Sequence, residues 1–443
     1  MPKPPLLNAL ARAFLAGEPA LAAMIARARR TLGRPWRWLG PVARRYLDTY
    51  AGMTRPRRRD AVQFLLHDSG VAYARAKYRG QLRVEQWLND SQQMQPVAAA
   101  AHWAVPSIES VAELADWFRL TPGELEWFAD NKGLGYRRQD RPKLRHFHYR
   151  VLSKSSRGVR LIEAPKARLK ALQRQILALI LDRIPHHSAA HGFLKGRSIT
   201  TFAAPHAGQC VVLRMDLQDF FPSISGARIQ TFFRTLGYPE SVADLLGGIC
   251  TNATPPDVWR RLEFDVDPAQ LSQARALYAR PHLPQGAPTS PALANICAYR
   301  ADRRLAGLAK SAGASYTRYA DDLAFSGDEA FERHVERFST HAAAILIEEG
   351  FAVNYRKTRI MRQGVRQHLA GLAVNQRVNV IRADFDRLKA TLTNCVRLGP
   401  ESQNRDAHHS FRGHLDGRVG FVESINPVKG KRLRILFDKI EWQ

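Results

Sequence analysis

The spacing of apolar residues along this chain changes several times, and each change marks a different kind of element. Through residues 1 to about 106, apolar side chains recur at helical spacing among basic ones, which predicts a layer of amphipathic helices. Glu18 and Pro19 interrupt its first run, and Gln92 to Pro106 reads as a linker. Ser107 to Asn131 predicts two short helices, the second opened by the capping box Thr121-Pro122-Gly123-Glu124. Ala112 to Phe128 mimics a helix-turn-helix, a spacing that ordinary helix packing also produces. From His146 to Pro165 the period falls to two: Tyr149 and Val151, a Ser-Ser-Arg-Gly turn, then Val159, Leu161 and Ile162. This is the pattern of a β-hairpin. Ala167 to Ile184 returns to a helical stripe through Leu169, Leu172, Ile176, Leu177 and Ile180. The run Cys210 to Met215 predicts a buried strand ending at Asp216, and Ser225 caps a helix that stops at Gly237. Strands and helices alternate to about Val380, followed by a charged helical region to Gln443.

Composition adds a partner class to this outline. The chain has 443 residues, enough for two or three domains, and an ordinary hydrophobic fraction of 45%. Its net charge of +27 is the departure, and a surplus of that size attracts polyanions, nucleic acid above all. The charge is dense near the start: Arg27, Arg29, Arg30, Arg34, Arg37, Arg44 and Arg45, then Arg55-Pro56-Arg57-Arg58-Arg59. Trp36, Trp38, Tyr46, Tyr50, Tyr73 and Tyr78 are interleaved. Two readings stay open: a surface on which bases stack between phosphate contacts, or rings packed inside with the arginines alone facing solvent. Cys210, Cys250, Cys297 and Cys395 show no CxxC spacing, which suits a reducing cytosol. No apolar run reaches membrane-spanning length, and no GxxxxGK[ST] loop supports P-loop chemistry.

Candidate chemistry is concentrated in carboxylates. Asp216 closes the apolar strand Val211 to Met215, and Tyr319-Ala320-Asp321-Asp322 sits between two apolar runs that predict strand, turn, strand over Ser315 to Ser326. Adjacent buried carboxylates repel each other unless cations neutralise them. Three converging ones are what two Mg²⁺ ions need for an in-line phosphoryl displacement. The backbone after Asp216, from Leu217, is placed to face a triphosphate. His191, His206 and His368 fit no common zinc spacing, so structural or RNA-contact roles are expected of them.

Several blocks together resemble bacterial reverse transcriptases, in the order that family has. Tyr319 to Asp322 resembles the active-site box, and Ser153 to Pro165 the fingers hairpin. His191-Gly192-Phe193 with Gly196-Arg197-Ser198 resembles the block before the first catalytic strand, and Leu283 to Pro291 the block beneath template and nucleotide. Gly350-Phe351 with Asn354 and Lys357-Thr358 resembles the fourth palm block, and Gln367 to Asn375 the primer grip. Phe411 to Arg418, through Asn426-Pro427, is similar to retron thumbs. The chain departs from the retron pattern at Phe202-Ala203-Ala204-Pro205-His206, which lacks the usual Asn, and at Leu369-Ala370-Gly371, which stands for Val-Thr-Gly.

The resemblance implies an α+β right-hand fold with fingers, an antiparallel-sheet palm and a helical thumb, preceded by the basic helical extension. The expected boundaries are 1–106 for the extension, 107–206 for the fingers, 207–380 for the palm with an insert at about 238–282, and 381–443 for the thumb. It implies Asp216, Asp321 and Asp322 as ligands of two Mg²⁺ ions, with Mn²⁺ an alternative. Lys154 and Arg160 would meet the triphosphate, with Leu217 and Gln285 beside the nucleotide. Phe221 would be a gate against the 2′-hydroxyl and Lys357 a general acid. Arg55, Arg57, Arg58, Arg59 and Arg197 are candidate RNA contacts. The implied partners are template and primer RNA, the DNA product, deoxynucleotides and an effector protein of an antiphage system, in the bacterial cytoplasm without a membrane. Other bacterial reverse transcriptases (defence-associated, abortive-infection, diversity-generating or degenerate group II intron types) and a catalytically silent RNA-binding scaffold are the alternatives.

Overall fold

The computed structural model describes residues 5–88, 92–137, 142–154, 158–260 and 265–442. The chain divides into two compact units, Met1–Pro185 with Phe221–Cys297, and His186–Phe220 with Ala298–Gln443.

The first unit begins with five helices, Pro5–Leu15, Leu21–Leu32, Leu39–Thr49, Arg58–His67 and Ser69–Lys77. They close on a core of their own that includes Leu10, Phe14, Met24, Leu39, Val42, Val62 and Leu65. Trp38 and Tyr46 belong to that core, and Trp36, Tyr50 and Tyr78 pack against it, so of the interleaved rings only Tyr73 is exposed. The packed reading of these aromatics holds. The layer docks on the helices Gly226–Thr235 and Glu240–Cys250: Arg57 donates to Gln230 Oε1 at 2.8 Å, and the backbone N–H of Arg58 to Glu240 Oε2 at 2.8 Å.

The expected linker is instead a docked strap. Gln95 N–H donates to Gly237 O and Val97 N–H to Thr235 O, at 2.9 and 3.2 Å. The two short helices form as Val111–Phe118 and Pro122–Ala129, and the Thr121–Glu124 capping box is made in both directions. The second packs on Glu240–Cys250, so the helix-turn-helix likeness reflects ordinary packing. Strands β1 (Phe147–Ser153) and β2 (Val159–Pro165) pair antiparallel with Leu152 opposite Arg160. Their turn, Ser155 to Arg157, lies outside the described residues.

The second unit is built on an antiparallel sheet. Its strands are β3 (Val211–Gln218), β4 (Ser315–Tyr319), β5 (Asp322–Gly327), β6 (Ala352–Val353) and β7 (Arg359–Arg362), ordered β4-β5-β3-β6, with β7 also on β3. β3 does not stop at Asp216, as its apolar run suggested. It pairs with β5 as far as Asp216, then with β6 through Leu217 and Gln218. The helix Glu329–Glu348 packs against this sheet.

A smaller sheet follows, formed by β8 (His368–Leu369), β9 (Leu372–Ala373) and β10 (Asn379–Val380). Ala370 and Gly371 make its tight turn with φ of 45° and 82°, at the position where the chain departs from Val-Thr-Gly. The helices Arg382–Leu398, Phe411–Ile425 and Pro427–Phe437 close a separate C-terminal core around Leu388, Leu392, Leu415, Val419 and Leu433. Among the described residues, no helix is long and apolar enough to cross a membrane. Cys210, Cys250, Cys297 and Cys395 are free thiols.

Candidate active site

In the second unit the three carboxylates meet at one end of the sheet because of the strand register. Asp216 on β3 lies opposite Asp322 on β5, Tyr319 on β4 closes the same hairpin, and Asp321 falls in the turn. Leu217 N–H donates to Asp321 O at 2.9 Å, which fastens the turn to β3. Ala320 adopts φ 55°, a conformation that costs an L residue roughly 1–2 kcal/mol and that its surroundings must hold. Gly192 supplies part of that hold: a Cβ there would come within 2.6 Å of Ala320 N, so only glycine allows the approach.

Each carboxylate has its own electrostatic setting. Asp216 is only 4% exposed. Its Oδ1 accepts from Asn354 Nδ2 at 3.0 Å and its Oδ2 from Lys357 Nζ at 3.1 Å, while its carbonyl accepts from Asn354 N–H. Asp322 Oδ1 accepts from Arg214 Nε at 2.9 Å and Nη2 at 2.6 Å. Arg214 is the diagonal neighbour on the same sheet face, two residues before Asp216. Burial pushes the Asp321 carboxyl above the ordinary aspartate range, and the charges of Asp322 and Asp216 push it further.

Among the described residues, no three His, Cys, Asp or Glu side chains form a ready-made cage for a metal. Asp216 and Asp322 are turned to their protein donors. The donor set still fits a hard divalent cation: it is all carboxylate oxygen, and the like charges that raise Asp321 are those a cation would neutralise.

A buried ion pair that the motifs did not reveal supports the turn. Arg318 is 1% exposed and Asp302 0%. Arg318 donates from Nε and Nη2 to the two oxygens of Asp302, each at 2.7 Å, and from Nη1 to Ala320 O at 3.0 Å. Tyr316 O–H donates to the same carboxylate. The available signal was an arginine within the short strand Ser315–Tyr319 next to the carboxylate turn, because a buried arginine requires a partner.

His206 is buried between Ser326 Oγ and Thr317 Oγ1, each 2.7 Å away, and burial pushes its pKa down to about 3. That is a structural role. His191 is held by Thr201 and by Arg197, whose Nη1 lies 3.3 Å from Nε2, and burial lowers its pKa to about 4. Arg197, a candidate RNA contact, is therefore positioned by His191.

The remaining expected residues lie in the first unit. Lys154 and Arg160 flank the hairpin turn, and Lys154 N–H donates to Gly158 O at 2.8 Å. Gln285 sits where its block runs along β2, with Glu163 N–H donating to Gln285 O at 2.9 Å. Gly286, at φ 135°, lets this turn approach, since a Cβ there would lie 2.9 Å from Glu163 O. The Glu163 side chain, fully buried, accepts from Asn252 and Thr254, each at 2.7 Å, and meets His282 Nε2 at 2.8 Å. This second buried cluster was also missed in the sequence. Phe221 is half-buried, whereas Phe220, in the second unit, is buried against Phe351.

Two of the candidate RNA contacts have partners within the protein. Arg55 donates to the carbonyls of Leu15 and Gln93, and burial lowers its pKa to about 10. Arg57 bonds Gln230 and Asp244. Both guanidinium groups tie protein segments together, while Arg58 and Arg59 remain exposed.

A sheet presenting three carboxylates at one end, with antiparallel pairing and helical flanks, defines the palm of a nucleic-acid polymerase. The chain belongs to the reverse transcriptase family: the family described as reverse transcriptase (RNA-dependent DNA polymerase) matches residues 152–381. It is 41% identical over 340 residues to the retron Mx65 reverse transcriptase of Myxococcus xanthus, covering 76% of this chain and 73% of that one. It is 34% identical to the retron Mx162 reverse transcriptase of the same organism, covering 75% and 67%, and 30% identical to the retron Ec86 reverse transcriptase of Escherichia coli, covering 67% and 82%. It is thus an RNA-directed DNA polymerase of the bacterial retron type.

Proposed function

We propose that this polymerase copies a structured, cognate non-coding RNA into DNA, with Asp216, Asp321 and Asp322 holding two divalent cations, Mg²⁺ or Mn²⁺. The ions, when bound, would activate the primer hydroxyl and neutralise the triphosphate. The observation that carries this reading is the register that sets Asp216 opposite Asp322 and bonds Leu217 to the Asp321 carbonyl. Asn354 and Lys357 orient the Asp216 carboxylate, and Arg214 orients that of Asp322. Lys357 is half-exposed beside this centre and is the proposed proton donor to departing pyrophosphate.

The family resemblance assigns Lys154 and Arg160 to the β- and γ-phosphates, Leu217 and Gln285 to the nucleotide, and Phe221 to the sugar. A phenyl ring against C2′ would exclude ribonucleotides, so Phe221→Val should raise their incorporation. The division into extension, fingers, palm and thumb at the boundaries given above belongs to the same proposal.

Metal-dependent deoxynucleotide incorporation on an RNA template, measured for the wild type and for Asp321→Asn and Asp322→Asn, tests the centre. Turnover near wild type in both variants would sink it. As the family resemblance implies, the proposal extends to the synthesis of RNA-linked branched DNA in antiphage defence, together with an effector protein. RNase-resistant branched DNA in cell extracts, and its loss in the same variants, is the corresponding test.

A further inference from the structure

We propose that the exposed arginines around Gly33 form a phosphate-binding face for a double-helical segment of RNA, a face that follows the backbone and reads no bases. It rests on the reading of this chain as a polymerase that holds a folded RNA, and it names where and how part of that RNA is held.

The helix Leu21–Leu32 ends at Gly33 in the left-handed conformation, φ 73°. Its last turn carries Arg29 and Arg30, both exposed, and the following turn carries Arg34 and Arg37, also exposed. The segment 81–86 is laid alongside: Glu85 N–H donates to Thr31 O at 2.9 Å, and Arg34 Nη2 donates to Gln81 Oε1 at 3.1 Å. That placement adds Arg83. The acid it brings, Glu85, is taken by Arg83 Nε at 2.5 Å. Arg29, Arg34, Arg37 and Arg83 are therefore exposed at or just beyond one helix end, where the negative end of the helix dipole favours cations.

The rings of this region explain why the ligand is a duplex. A single strand is gripped by stacking its bases on exposed aromatic faces. Here Trp36 is covered by Arg34, 4.0 Å from its ring centre, and by Tyr78, 4.7 Å away. Trp38 and Tyr46 are buried in the layer core. Tyr73, though exposed, has Lys77 against its ring and hydroxyl. The two exposed rings, Tyr73 and Trp87, each have a cation over a face, Lys77 and Arg12, so the surface presents charge ahead of free stacking platforms. An RNA double helix shows the complementary face, with phosphates and sugars outward and bases stacked within.

The test uses the full chain and its Arg29→Gln/Arg34→Gln/Arg37→Gln variant, without nucleotides. The probes are a duplex RNA of about 16 base pairs, a single strand of the same length, and vesicles containing phosphatidylserine. The variant is expected to melt like the wild type and to bind the duplex roughly tenfold to a hundredfold more weakly at about 0.15 M salt. Its plot of log affinity against log salt is expected to be shallower by about two to three units. The corresponding Arg→Lys triple variant should keep most of the affinity, because phosphate contact needs charge and not ring stacking. Equal loss on the single strand would overturn the proposal. So would unchanged duplex affinity, or vesicle binding that falls while duplex binding does not. The polymerase reading is judged separately by nucleotide incorporation, so the two can fail independently.

Discussion

The carboxylate end of the central sheet and the N-terminal helical layer treat charge in opposite ways. At and against the sheet, charges are few, largely buried and individually partnered: Asp216 with Asn354 and Lys357, Asp322 with Arg214, and Arg318 with Asp302 on the helix Ser290–Ser311. In the layer they are numerous and outward, over a core that has absorbed most of the aromatic rings. Where charges are buried, geometry fixes what each one does, and deleting one leaves a partner stranded in low dielectric. Where they are exposed and screened, no single one matters much and their sum does the work.

That contrast sets an order of expected effects. The largest is at the centre: if Asp216 holds a cation as proposed, Asp216→Asn should lower deoxynucleotide incorporation about a thousandfold or more, since such a charge is worth several kcal/mol in the transition state, while circular dichroism stays native. Arg318→Met comes next. It leaves Asp302 buried without its cation and should destabilise the chain by about 3–5 kcal/mol, read as a lower denaturant midpoint. Asp302→Asn/Arg318→Met should cost less than the sum of the single changes.

His206 gives a smaller, pH-dependent effect. Its folded pKa, about 3, lies below the ordinary value, so the unfolded chain binds the extra proton first as pH falls. Its contribution is complete above about pH 6.5 and is lost on acidification toward pH 3, at up to about 1.4 kcal/mol per pH unit. In His206→Gln the stability measured between pH 7 and pH 4 should fall less steeply than in the wild type. Smallest is the contrast within one arginine run. Arg58→Gln should change stability by less than about 0.5 kcal/mol, whereas Arg55→Gln should cost about 1–3 kcal/mol by stranding two carbonyls. Equal effects at the two positions would erase the distinction between inward and outward arginines.

Local pattern made much of this visible in the sequence. Period-two alternation marks the β1–β2 hairpin, the Thr121 capping box stands in plain sequence, and the strand-turn-strand pattern around Asp321 puts Asp321 and Asp322 at a hairpin turn. What stayed hidden depends on residues far apart in the chain. The extension of β3 past Asp216 is made by Ala352 and Val353, two residues too short to leave a period. Arg55 looked like the rest of its basic run because its burial is set by the carbonyls of Leu15 and Gln93, many residues away on either side. The segment from Gln92 looked like a linker because it is held largely through the backbone N–H groups of Met94, Gln95 and Val97, with Gln95 Nε2 adding a bond to Gly17 O, and backbone donors carry no side-chain signature.

The most direct test of the account measures binding and chemistry on the same sample. Asp321→Asn and the wild type would each be titrated with a primed, folded RNA template, then given Mg²⁺ and deoxynucleotides. The account expects template affinity within about threefold of wild type, because exposed cations supply the hold, and DNA synthesis reduced to background. Synthesis near the wild-type rate, or a collapse of template binding in step with synthesis, would contradict it.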